Sequence, residues 1–189
     1  MTTVRIALVE PWPGARMAGD GFRISSFLVV LAEETGGRAL PVWLNGPEGH
    51  GLLRGRDGHP HPEPAEAITA ELLSAAGVTV TGVDIDELDT ALTTGPRRGH
   101  DSPQATARIG FTAASSADPR ELTVRIGYAL AMAVATGAPV RVADPLMDQL
   151  AVPQGDLVNQ FTRDVPLPPQ GRRWRRRFGR RQQTRLTNR

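Results

Sequence analysis

Residues 27–48, Phe-Leu-Val-Val-Leu-Ala-Glu-Glu-Thr-Gly-Gly-Arg-Ala-Leu-Pro-Val-Trp-Leu-Asn-Gly-Pro-Glu, decide the fold. An apolar β-branched run is followed by Glu33-Glu34-Thr35-Gly36-Gly37, which suits a hairpin turn, and Arg38–Leu44 then returns as a second strand. Gly46-Pro47-Glu48 opens a helix, with proline near the first helical position and an acid in the first turn. Upstream, Val4–Val9 reads as a strand and the β-rich stretch extends back to Phe22. The glycines and prolines of Gly55–Pro64 predict a loop.

Downstream the order is similar. Ala67, Ile68, Leu72, Leu73 and Ala76 recur at helical spacing across Ala65–Ala76, and Gly77 is placed to cap that helix. Val78–Ile85, Ala105–Ala113 and Glu121–Ile126 read as strands, with a loop over Thr94–Gln104. Gly127–Thr136 is an Ala-rich helix stopped by Gly137 and Pro139. Val140–Val142 is a short strand, and Asp144-Pro145 starts a helical turn reaching Leu150. Three strands and a helix, then a helix, three strands and a helix, predict an α+β fold with antiparallel or mixed sheets, not a doubly wound one. Residues 1–150 form the expected domain, 151–170 a Pro-stiffened linker, and 171–189 an Arg-rich tail expected to be disordered when free.

Composition narrows the function classes. The chain has 189 residues, 40% of them hydrophobic but only 5% aromatic, so its core is aliphatic. Without cysteine there is no disulfide scaffold, thiolate metal site or thiol nucleophile. No apolar run approaches the roughly 20 residues of a membrane span, and the first residues carry no secretory pattern. The expectation is a soluble, cytoplasmic protein. All 22 basic residues are arginine, and nine of them, with no acid, fall in 171–189. The remaining 13 face 20 acids, so an acidic body carries a strongly cationic tail.

In that tail Arg172, Arg173, Arg175, Arg176, Arg177, Arg180 and Arg181 surround Trp174 and Phe178. Arginine neutralises phosphates and aromatic rings stack on bases, so DNA or RNA is the expected partner. An anionic membrane surface is the lesser alternative, and exposed strand edges and the Ala-rich helix also allow a homo-oligomer. No Gly-x-Gly-x-x-Gly, P-loop or Gly-x-Ser-x-Gly motif is present. His59 and His61 read as solvated loop residues more readily than as ligands, His50 lies two residues after Glu48, and His100 stands in a polar loop and carries no signal. Trp43 reads as core packing.

Two stretches resemble the bifunctional nuclease (BFN) domain family. Phe27–Glu33, Ala39-Leu-Pro-Val-Trp-Leu44 and Gly46-Pro-Glu48 are similar to its V-V-L-L-x-E strand, L-P-I-W-I-G strand and Glu-bearing helix. Leu122-Thr-Val-Arg125 and Ala129–Val142 are similar to its later strand, R-P-S-D-A turn, Ala/Leu-rich helix and P-I-x-V strand, and Ile68–Val80 sits where it has a helix before a strand. The resemblance covers roughly residues 4–150. It implies a duplicated β(3)-α arrangement of antiparallel or mixed sheets packed on helices, and nuclease (hydrolase) activity on DNA or RNA phosphodiester bonds. It also implies catalytic roles for Glu48 as a carboxylate and Arg125 as a phosphate clamp. A divalent cofactor such as Mg²⁺ or Mn²⁺ would suit this chemistry, although no metal ligand set is assigned. Tyr128 stands where the family has its Asp, and Glu66 is the acid nearest the family's His-Asp pair. The resemblance also puts Asp84, Asp86, Glu87 and Asp89 at a strand–turn hairpin, which implies a solvated edge. The alternative is a catalytically silent nucleic-acid-binding or regulatory module on the same fold.

Overall fold

In the computed structural model, residues 1–12, 26–57, 65–94 and 105–157 are described. The first compact unit is Met1–Gln154. The antiparallel strands β1 (Thr2–Trp12), β2 (Ser26–Glu33) and β3 (Arg38–Asn45) lead into helix α1 (Gly46–Asp57). Helix α2 (Ala65–Ala75), strand β4 (Val78–Ile85) and a single helical turn α3 (Ala91–Thr94) follow. Strands β5 (Thr106–Ala113) and β6 (Ser116–Arg125) then lead into helix α4 (Ile126–Thr136). Strand β7 (Val140–Val142), helix α5 (Asp144–Leu150) and the two-residue β8 (Val152–Pro153) end the unit.

The strands of the described residues form one mixed eight-stranded sheet in the order β6-β5-β4-β7-β1-β2-β3-β8. The short β7 joins the two antiparallel meanders, pairing antiparallel with β1 and parallel with β4. The molecule is therefore α+β, with a mixed sheet rather than a doubly wound one.

Side-chain alternation sends Phe27, Val29 and Leu31 of β2, Leu40, Val42 and Leu44 of β3, and Val83 and Ile85 of β4 into one core. Leu52 of α1 and Ile126, Ala129, Leu130 and Ala133 of α4 join them there. Each fully buried aliphatic side chain contributes about 1.5–3 kcal/mol. The alternate residues Leu28, Val30 and Trp43 are buried as well, which explains why β2 reads as a continuous apolar run. Trp43 is 4% exposed, as the packing reading expects.

Helices α2 and α4 stop where Gly77 and Gly137 take left-handed φ of 70° and 72°. Alanine-rich α4 lies close to α1, and the two pack together across the sheet face.

Several local expectations are corrected. Helix α1 continues through Gly55 to Asp57, where a loop was predicted; Leu52 anchors it in the core and outweighs one helical glycine, about 1 kcal/mol. β6 starts at Ser116 rather than Glu121, because an edge strand tolerates Pro119. Turn α3 was not predicted; Asp89 Oδ1 accepts the Ala91 N–H at 2.8 Å and starts it. Helix α2 buries none of its residues, and Ile68 and Leu72 of its apolar stripe are exposed. Val152–Pro153, placed in the linker, extends the sheet by pairing with β3. The predicted strand residues 22–25, the loop residues 58–64 and 95–104, and the tail 171–189 lie outside the described residues.

Candidate functional site

The strand-to-helix junction at Asn45–Glu48 builds the first half of the site. Asn45 ends β3 and stands just before α1, where the first helical N–H groups have no partner within the helix. Its Oδ1 accepts the Glu48 N–H at 3.0 Å. Asn45 also pulls the Glu48 carboxyl pKa down, against the effect of burial. This side-chain cap fixes the Glu48 backbone in the first turn of α1.

The junction between β6 and α4 builds the second half. Arg125 pairs with Thr106 as the last residue of β6 and is also the extended N-cap of α4, at φ −62° and ψ 142°. It makes no side-chain cap, so its guanidinium is left to turn toward α1. Nη1 lies 4.0 Å from Glu48 Oε1. The pair is asymmetric: the Glu48 side chain is 8% exposed and that of Arg125 is 43% exposed. Burial pushes the Glu48 carboxyl above the ordinary carboxylate range, against the opposing pull of Arg125 and the Asn45 hydrogen bonds. The site thus joins a buried carboxyl held toward its neutral form and a solvent-facing cation with donors to spare.

Two glycines make this approach possible. A Cβ on Gly127, in the first turn of α4, would fall 2.4 Å from Glu48 Cβ and 2.8 Å from its Cγ. A Cβ on Gly49 would fall 2.1 Å from two atoms of the buried Phe27 ring, so α1 rests directly on β2. His50 donates from Nδ1 to the Gly46 carbonyl at 2.8 Å and packs edge-on against Phe27 at 4.8 Å between ring centroids. Glu66, from the first turn of α2, reaches over α1: its Oε1 would lie 3.2 Å from a Cβ on Gly51. Gly51 is three residues from Glu48, so Glu66 approaches the same side of that helix. Tyr128, three residues beyond Arg125, is 43% exposed.

The structure therefore brings together the two residues singled out at the motif positions. His59 and His61, His100, and the tail residues Arg172 to Arg181 with Trp174 and Phe178 lie outside the described residues. Among the described residues no group of three or more His, Asp and Glu side chains is placed to hold a metal ion. Asp84 and Asp86 were read as one solvated edge, and this is corrected for Asp84. It lies on the interior strand β4 and is bound by Arg141 at 2.6 Å across a half-buried pair. Asp86 joins Arg108, which also holds Glu121 at 2.9 Å on the polar sheet face. Asn45 and Gly127 were not anticipated. The Asn-x-x-Glu spacing at a helix start could have revealed Asn45, whereas nothing in the sequence marks Gly127.

No protein-family model matches the chain, and no curated protein matches it. Among the described residues, no helix is long and apolar enough to cross a membrane.

Proposed function

We propose that the chain is a divergent bifunctional-nuclease-like domain that binds and hydrolyses nucleic-acid phosphodiester bonds at Glu48 and Arg125. The observation that carries this reading is the 4.0 Å approach of Arg125 Nη1 to a buried carboxyl 77 positions earlier, at the meeting of two strand-to-helix junctions. In the proposed arrangement each junction ends a three-strand meander, and the chain duplicates a β(3)-α unit around the shared site.

Arg125 binds a non-bridging phosphate oxygen and offsets its charge. The bound anion draws the guanidinium away from Glu48 and adds negative charge beside it. Both effects raise the carboxyl pKa further, so Glu48 holds its proton when the phosphodiester is in place. Water attacks phosphorus, the bond to the leaving oxygen breaks, and Glu48 passes its proton to that oxygen. The proton released by the attacking water goes to solvent and returns to Glu48. The Arg172–Arg181 stretch, with Trp174 and Phe178, gathers nucleic acid by phosphate contacts and stacking.

The second reading, a catalytically silent nucleic-acid-binding or regulatory module, draws on the place of Glu48 in the first turn of α1, where a negative charge is stabilising in its own right. One assay separates the two. The full chain is incubated with labelled single-stranded DNA and RNA in Mg²⁺, Mn²⁺ or EDTA, beside Glu48→Gln. Cleavage that is lost in the variant supports the enzyme. Retarded bands without cleavage support the silent module and overturn the hydrolytic reading.

A further inference from the structure

Strand β6 is an open sheet edge, with no strand pairing beyond it among the described residues, while the opposite end of the sheet closes with two-residue β8. Its first half is guarded by Asp118, Pro119 and Arg120, as edges commonly are. Its second half, Glu121-Leu122-Thr123-Val124-Arg125, has no proline, and Leu122 is 55% exposed. The Ile126 N–H donates to the Ala105 carbonyl at 2.9 Å. By strand alternation, the backbones of Leu122 and Val124 then face β5, and those of Glu121 and Thr123 face the open edge.

We propose that a second copy of this chain pairs antiparallel along Glu121–Arg125, edge to edge, about a two-fold axis through Thr123. The argument rests on charge and register, independently of the function proposed above. If the helices of both copies stay on the same side of the extended sheet, the axis is normal to the sheet and passes through a residue position. An axis at Arg120 sets two arginines opposite each other, and one at Glu121 sets two glutamates opposite. At Leu122 it leaves the charges unmatched and brings in Pro119. At Val124 it runs into the start of α4. At Thr123 alone, Leu122 lies opposite the partner's Val124, and Glu121, which already holds Arg108, lies opposite the partner's Arg125. Symmetry makes each of these contacts twice.

The test is sedimentation of the full chain over a range of concentrations. The expected result is a dimer that Thr123→Pro converts to a folded monomer, because the Thr123 N–H points away from β5 and carries no bond within the chain. Glu121→Arg and Arg125→Glu should each weaken association by about tenfold or more, since each opposes like charges across the seam. Mixing these two variants should restore a heterodimer, and this arm decides the matter should Thr123→Pro fail to fold. A wild-type monomer at every concentration overturns the proposal, as does a dimer that survives in folded Thr123→Pro. Folded charge variants that fail to pair on mixing also overturn it. A dimer lost in Leu72→Glu but kept in Thr123→Pro places the second copy on α2 and overturns it too.

Discussion

Replacing Gly127 by alanine tests how closely the site depends on the contact between α1 and α4. The added Cβ would sit 2.4 Å from Glu48 Cβ, 2.8 Å from Cγ and 3.1 Å from Cδ. A Cβ is fixed to its backbone, so rotating the glutamate does not relieve the shortest contact. The helices must instead part by about 1 Å to reach ordinary carbon–carbon separation. Overpacking of this kind costs about 1–3 kcal/mol. The gain from replacing a helical glycine returns up to about 1 kcal/mol. With the full gain the net loss is about 0–2 kcal/mol, or up to ~8 °C in melting temperature for a chain of this size. Glu48 and Arg125 stand at the 4.0 Å limit of an ion pair, and the extra separation breaks it. Displacement of a reacting group by about 1 Å lowers turnover by roughly 10²-fold. Circular-dichroism melting and the oligonucleotide assay measure the two effects. A variant that melts at or above the wild-type temperature and cleaves at the wild-type rate would refute the reasoning.

Arg125→Ala removes the strongest influence opposing burial at Glu48, so the carboxyl pKa, already raised, should rise further in a carbon-13 titration; a fall would contradict the assigned causes. Because the folded pKa lies above the unfolded value of 4.5, the native state binds the proton more tightly. Stability should therefore fall as pH rises from 4.5 through the folded pKa, and chemical denaturation of Glu48→Gln should lack that decline. Asn45→Ala deletes the acceptor of the 3.0 Å bond that caps α1 and should lower stability by about 1 kcal/mol, read as a shift of the urea midpoint. Removing residues 171–189 should weaken nucleic-acid binding and flatten the slope of log K against log salt; an unchanged slope takes the tail out of the account.

Much of the fold was legible because period and punctuation agree. The alternation of Val78–Ile85, the hairpin glycines 36 and 37, and Gly77 and Gly137 after their helices each act locally. What misled was tertiary context. Gly55 looks like a helix breaker until Leu52 anchors α1. Ile68 and Leu72 look like a core stripe, yet α2 lies outside the buried layer. The single turn after Asp89 rests on one side-chain hydrogen bond, too small a signal for periodicity. Asp84 looked like an edge residue because strand order was unknown; β7, three residues long, places it in the interior.

At the site, residue types were legible and their neighbours were not. Glu48 and Arg125 stood out as the acid and base of two motif-like stretches. Their separation is set by the Gly127 contact and by the capping at Asn45, neither of which has a sequence period.

The most direct measurement is a carbon-13 titration of the Glu48 carboxyl in the full chain, with and without a non-hydrolysable phosphorothioate dinucleotide. If the carboxyl and guanidinium act together on a phosphodiester, the ligand should raise the Glu48 pKa in the wild type. In Arg125→Ala the same concentration of dinucleotide should leave it unmoved. A Glu48 titration that the dinucleotide does not shift in the wild type would contradict the account.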